Sequence, residues 1–251
     1  MGPYSGHKVS MSRGLLNGLL FRTFFLQTGF CYERLQGLGW CWVIKPLGKK
    51  FRIPNPTDFH LKNLEPFNAN PYVSTYAAGA VAKLVEEKRA LDEIQRLKNS
   101  LRGPLGSLGD NLIWKGIRPT LLASGILATF WLGFWGGIIF LGLFNLFQLY
   151  LRWRGARRGY ELGEQIFVEF SGNFWRRVPA IFSAAGAMLL GIMLVLKGGE
   201  YFLWSWEAGM IFVLTMAVSL IGFFKRISAL DVFLLCLGSG LAVKVVSTLA
   251  G

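Results

Sequence analysis

The sequence predicts an all-α protein: a polytopic helical membrane chain with re-entrant and amphipathic helices in its N-terminal half. Three observations carry this. No charged residue occurs from Leu121 to Leu151, a run of 31 residues, and roughly 20 apolar residues suffice to cross a bilayer as a helix. Three more apolar runs follow at 180–196, 201–224 and 229–250, interrupted only by Glu207, Asp231 and Lys244. Charged residues are 16% of the 251-residue chain and hydrophobic ones 53%, where soluble domains average about 25% and about 45–50%. A surface helix of a soluble protein keeps a polar stripe, and these runs have none.

Taken in chain order, residues 1–14 are polar and read as a flexible tail. Residues 15–26 form a short amphipathic helix ended by Gln27-Thr28-Gly29. A second helix is predicted from about 30 to 44, stopped by Pro46. On it Glu33, Gln36, Gly37 and Trp40 follow the i, i+3, i+4, i+7 spacing of one face. A carboxylate, an amide and an aromatic ring together suit a sugar: the polar groups meet vicinal hydroxyls and the ring covers the apolar face. A capping or interhelical polar pair accounts for the same residues.

Residues 48–66, with Lys49, Lys50, Arg52 and three prolines, read as a solvated loop. Pro71 suits the first turn of a new helix, which Asn68 or Asn70 can cap. That helix is rich in small residues, Ala77 to Ala82, which permits close helix contact. It reads as half-spanning, because charges begin at Lys83. From Lys83 to Lys98 there are nine charges in sixteen residues. With Leu84, Leu91, Ile94, Leu97 and Leu101 in a stripe, this predicts one amphipathic helix with Asp92 paired to Arg96. Gly103, Gly106 and Gly109 before Asp110 predict a tight turn. Asp110, Lys115 and Arg118 then stand at a membrane entrance, as functional groups or as an internal ion pair of a re-entrant loop. The run 121–151 is either one tilted helix or two short passes meeting at Gly133, Gly136 and Gly137. The chain thus divides into a tail (1–14) and a membrane domain (15–251), with amphipathic and re-entrant helices to 120 and transmembrane helices from 121.

Arg152, Arg154, Arg157, Arg158, Arg176 and Arg177, and later Lys225 and Arg226, flank the apolar runs. Basic residues accumulate on the cytoplasmic side, which places 152–177 inside. The net charge of +13 fits attraction to anionic lipid headgroups. No nucleic-acid module accompanies it. Three cysteines and two histidines, His7 and His60, form no metal-ligand spacing, so neither a metal nor a cofactor is expected. Phosphate-binding and dinucleotide fingerprints are absent.

Several segments, in order, resemble one family. Tyr32-Glu33-Arg34-Leu35-Gln36-Gly37-Leu38-Gly39 is similar to a Glu-Arg-(Met/Leu)-Gln-(Gly/Ala)-Leu-Gly stretch in the IID components of mannose–fructose–sorbose phosphotransferase permeases. Phe67-Asn68-Ala69-Asn70-Pro71 resembles the family's Phe-Asn-Thr-(Asn/Gln)-Pro. Glu86 to Ala90 resembles the acidic segment after it, and Leu101 to Asp110 resembles the family's Gly-Pro-Leu and Gly-Asp signature. Trp114, Arg118-Pro119, Phe144-Asn145-Leu146 and Gly159-Tyr160-Glu161-Leu162-Gly163 continue the match, over roughly residues 15–170. The family commonly has Asn where Cys31 stands and Pro where Asn111 stands, and a small residue at Lys115.

The resemblance implies a non-catalytic subunit of the bacterial inner membrane. It would pair with a IIC subunit in a hetero-oligomer, with soluble IIA and IIB phosphocarriers phosphorylating the incoming hexose. The contacts it implies for sugar or pathway are Gln27, Glu33, Gln36, Asn68, Asn70 and Asp110. The alternative is a divergent subunit of an incomplete system with a regulatory or scaffold role.

Overall fold

A computed structural model describes residues 11–202, together with scattered residues between 209 and 242. The chain falls into two compact units, Met1–Ala187 and Met188–Gly251. Most of the apolar runs predicted at 201–224 and 229–250, and most of the predicted tail, lie outside the described residues. The described residues are helical, with no strand beyond two isolated bridges.

The first helix, α1 (Arg13–Thr23), follows the predicted amphipathic segment. The second, α2, spans Gly37–Lys50 and differs from expectation at both ends. It starts late because residues 31–35 close a tight turn, with Cys31 N donating to Leu35 O (3.1 Å) and Leu35 N to Cys31 O (2.7 Å). It also runs through Pro46 instead of stopping there. The predicted loop at 48–66 contains a helix, α3 (Pro56–Asn63), with Asn55 Oδ1 accepting from Asp58 N at 3.2 Å and Pro56 in the first turn. This is an N-cap followed by a residue with no N–H to orphan.

The small-residue helix is α4 (Ser74–Glu86), and every residue from Val73 to Ala82 is buried. The charged stripe predicted as one helix over 83–98 is split. Helix α4 ends at Glu86, Lys88 adopts φ +55°, and α5 begins at Leu91. Asp92 accordingly pairs with Lys62 at 2.9 Å, not with Arg96. The turn expected at Gly103–Gly109 does not form: all three glycines lie inside α5 (Leu91–Asp110). The helical path continues through a π segment (Asn111–Ile117) into α6 (Arg118–Leu132).

Gly133, at φ +54°, ends α6, and α7 (Trp135–Leu162) follows. The 31-residue apolar run is therefore two helices. They pack back on one another, since a Cβ on Gly125 would meet Phe140 Cβ at 2.7 Å and one on Gly136 would meet Thr129 N at 2.6 Å. A 3₁₀ turn (Gly163–Gln165), α8 (Ile166–Phe170) and α9 (Asn173–Phe202) complete the described helices. Among the described residues one helical segment, Asn173–Met193, is long and apolar enough to cross a membrane.

The core is the contact of α4 with α7. A Cβ on Gly79 would fall 2.2 Å from Ala156 O, and one on Gly159 would fall 2.2 Å from Tyr76 O. The backbones approach as closely as they do because these side chains are absent. Beyond this contact the carboxylate of Glu169 holds Arg154 (2.6 Å) and Arg158 (3.0 Å). Burial alone would raise that carboxyl, but the two guanidiniums outweigh it and hold it below the usual carboxylate range.

Candidate functional site around Asn70 and Asp110

The six residues singled out in the sequence separate into two groups. Gln27, Glu33 and Asn68 are exposed. Gln36, Asn70 and Asp110 are gathered at the segment 67–71 by one local construction. Leu35 adopts φ +53°, an unusual conformation for a branched side chain. Its neighbours hold it there: Gln36 N donates to Phe67 O at 2.8 Å, and Phe67 N to Arg34 O at 3.4 Å. The Gln36 side chain is buried and grips Ala69 from both ends. Nε2 donates to Ala69 O at 2.9 Å, and Oε1 accepts from Ala69 N at 3.0 Å. Trp40 closes the unit by stacking on Phe67 at 4.2 Å. Gln36 thus clamps the loop with both polar groups engaged. Glu33 stands at the tip of the 31–35 turn, not on a helical face with Gln36 and Trp40.

The clamped loop presents Asn70 to α5. Asn70 Nδ2 donates to Asp110 Oδ1 at 2.9 Å, while its Oδ1 accepts from Tyr72 N at 3.1 Å. Gly109 makes the approach possible, since a Cβ there would fall 2.3 Å from Asn70 Cβ. Asn70 is 3% exposed, whereas Asp110 is exposed. The carboxylate therefore keeps room for another hydrogen-bond donor. Asp110 pairs with this amide and not with Lys115 or Arg118. The guanidinium of Arg118 instead stacks on Trp114 at 4.8 Å.

Aromatic groups continue the site. The Tyr72 ring meets Trp114 at 6.1 Å and Phe144 at 5.7 Å, both edge-on. Arg152 completes it from α7, with Cζ 5.3 Å from the Tyr72 ring and 4.6 Å from Phe24. Arg152 is 4% exposed, donates from Nη1 to Thr23 Oγ1 at 2.8 Å, and leaves Nε without a partner. Among the described residues it forms no ion pair. Its charge is held by ring faces. Tyr72, Trp114 and Arg152 were not among the six contacts expected from the sequence, where Trp114 entered only through the family resemblance and Arg152 only as a flanking basic residue. The signal for Arg152 was its place as the first charge after an uncharged run, where a partner is expected.

A carboxylate, an amide and exposed aromatic surface can meet a polyhydroxylated ligand. Nothing here pairs a nucleophile with a base, and among the described residues no three His, Cys, Asp or Glu gather as metal ligands. The open clefts at Pro46, Leu38 and Ile53 are lined by none of the six sequence-derived residues.

Known proteins agree with this architecture. Residues 10–196 match the family described as the PTS system mannose/fructose/sorbose family IID component. The chain is 29% identical over 182 residues to the fructose permease IID component of Bacillus subtilis, covering 70% of this chain and 66% of that protein. It is 29% identical over 187 residues to the mannose-specific EIID component of Escherichia coli K12, covering 71% and 66%. The matched segment thus spans 66% of the length of each of these two relatives. For the sorbose-specific component of Klebsiella pneumoniae the identity is also 29%, covering 73% and 69%. One similar solved structure is a chain of the mannose transporter ManYZ in complex with microcin E492, at TM-score 0.58 and 26% identity, covering 73% of this chain and 70% of that one. A membrane protein structure at TM-score 0.68 and 22% identity, covering 92% and 96%, shares the fold. The clamp at Gln36, the Asn70 loop and the Gly109-Asp110 contact all lie within the matched residues, and the chain belongs to the mannose/fructose/sorbose family of phosphotransferase-system IID components.

Proposed function

We propose that this chain forms, with a IIC membrane subunit, the pathway by which a hexose of the mannose, fructose or sorbose class enters a bacterium. The sugar is phosphorylated by IIB as it reaches the cytoplasmic face, and the complex sits as a multi-pass hetero-oligomer in the inner membrane. The observation that carries this reading is the contact of Asn70 with the exposed carboxylate of Asp110, beside Tyr72 and Trp114. The buried amide orients the carboxylate, and the carboxylate accepts from sugar hydroxyls while ring faces cover the apolar side of the pyranose. The names of the relatives support the sugar class, and the ManYZ complex supports a membrane partner.

The test is uptake and phosphorylation of labelled hexoses by membranes holding this chain, its IIC partner and phosphorylated IIB. Loss of one charge-assisted hydrogen bond predicts that Asp110→Asn lowers uptake by at least ~10-fold, with assembly intact by size-exclusion chromatography. Unchanged uptake in Asp110→Asn and Asn70→Ala overturns the site. No uptake of any hexose by an assembled complex overturns the transport reading and favours a regulatory subunit.

A further inference from the structure

The end of α1 and the C-terminal half of α2 frame an open cleft of about 860 Å³. Arg22, Lys45, Lys49, Lys50 and His60 line it, and no carboxylate does. Among the described residues none of its four Lys and Arg side chains is in an ion pair. All three lysines are exposed. A second cleft, of about 600 Å³, adjoins the first through Trp42 and Lys45, which line both. Its walls are apolar, and Phe21, Phe25 and Leu38 are 64%, 41% and 55% exposed. Uncompensated positive charge therefore runs directly into uncovered hydrocarbon surface, with a tryptophan at the junction.

One ligand chemistry uses both halves: a phosphate ester joined to a long apolar chain. A free phosphate would leave the aromatic half uncovered. An acidic peptide would answer the charge but not the adjoining hydrocarbon. Trp at the boundary between polar and apolar zones is the usual signature of a headgroup level. The location agrees, because Thr23 at the end of α1 hydrogen-bonds Arg152. Arg152 opens the basic cluster that the charge rule places on the cytoplasmic side, where the leaflet is anionic. We infer that the double cleft binds one anionic phospholipid of the cytoplasmic leaflet, its phosphate among Arg22, Lys45 and Lys49 and an acyl chain along Phe21, Phe25 and Leu38. This assignment is independent of the sugar site around Asn70.

The full chain with its IIC partner, purified in neutral detergent, is incubated with phosphatidylglycerol or phosphatidylcholine of matched acyl chains, and native mass spectrometry counts the lipid retained. The expected result is phosphatidylglycerol retained at least ~10-fold more tightly, with that preference lost in the Lys45→Gln/Lys49→Gln double variant. Leu38→Asp, at an exposed position, weakens retention of both lipids. Equal retention of the two lipids by the unmodified protein overturns the inference. So does an undiminished preference in the double variant. Displacement of phosphatidylglycerol by excess inorganic phosphate, with Leu38→Asp binding normally, also overturns it and leaves a site for small anions.

Discussion

The Nη1 of Arg22 donates to the main-chain carbonyl of Trp42 at 3.1 Å, and its Cζ lies 4.1 Å from the centre of the Trp42 ring. That carbonyl is the one Pro46 orphans, because proline has no N–H for the residue four positions earlier. The guanidinium of α1 therefore supplies a hydrogen bond missing from α2, and α2 continues to Lys50. Arg22→Ala should cost about 1 kcal/mol, below the usual range for a charged donor because the contact is exposed. In a Pro46→Ala background the alanine N–H takes the same carbonyl, so the cost should fall by half or more. A double-mutant cycle on the melting of the purified chain measures this, and zero coupling would show that Arg22 does not stand in for the missing N–H.

Gln36 gives a second prediction. Gln36→Leu leaves both the N–H and the C=O of Ala69 without partners, which should cost about 3 kcal/mol. Glu33→Gln, at the exposed tip of the same motif, should change stability by less than about 0.5 kcal/mol. Melting curves recorded beside uptake separate a lost clamp from a lost sugar contact. A Gln36→Leu protein that melts like the parent would remove the structural role assigned to the amide.

The glycines divide by what surrounds them. Gly79→Ala and Gly159→Ala place a methyl group about 2.2 Å from a backbone oxygen of the facing helix, and should reduce the yield of folded protein sharply. Gly103 and Gly106 have nothing within 4 Å of an added Cβ. Both lie in helix, so Gly106→Ala should stabilise by about 0.5–1 kcal/mol, and Gly103→Ala by less, because Pro104 follows it and crowds an added Cβ. Comparing the folded yield and melting temperature of the four variants is sufficient.

Lys98 makes stability depend on pH. Its Nζ is enclosed, donating to Lys62 O at 3.2 Å and Gln95 Oε1 at 3.0 Å, and burial lowers its pKa from 10.5 to about 8. The folded state gives up this proton more readily than the unfolded chain does. The buried charge therefore carries a penalty below pH 8 that is relieved as pH rises from about 8 towards 10.5. Lys98→Met should remove that term, so parent and variant stabilities should converge with rising pH across this window. A constant difference from pH 7 to 10 would contradict the assignment.

Local sequence signals located α1, the small-residue helix α4 and the apolar run through α6 and α7, because periodicity and composition act over neighbouring residues. Other features depend on partners distant in the chain. Nothing near Pro46 announces Arg22, and nothing near Leu35 announces that Phe67 will hold it at φ +53°. Gly109 read as a turn residue, yet its purpose is to admit Asn70, 39 positions earlier. Helix α3 was legible in principle: Asn55, Pro56 and Asp58 are start signals that the surrounding prolines and charges obscured. For the site, the motif residues were recognisable. Their division into a clamp (Gln36), an orienting amide (Asn70) and an open carboxylate (Asp110) required the tertiary contacts.

The reversal at Gly133 settles a question of parity. Of the two readings the apolar run 121–151 allows, a single tilted helix would put Arg118 and Arg152 on opposite faces of a bilayer. Two antiparallel limbs return the chain to the face it left. Contacts elsewhere need that result: Glu86 with Tyr160, Arg89 with Glu164, and Thr23 with Arg152 each join a residue before the hairpin to one after it. Thr23, Glu86 and Arg89 therefore lie on the same side of the hairpin as the arginine-rich end of α7, so an impermeant reagent that reaches Arg89 also reaches Glu164.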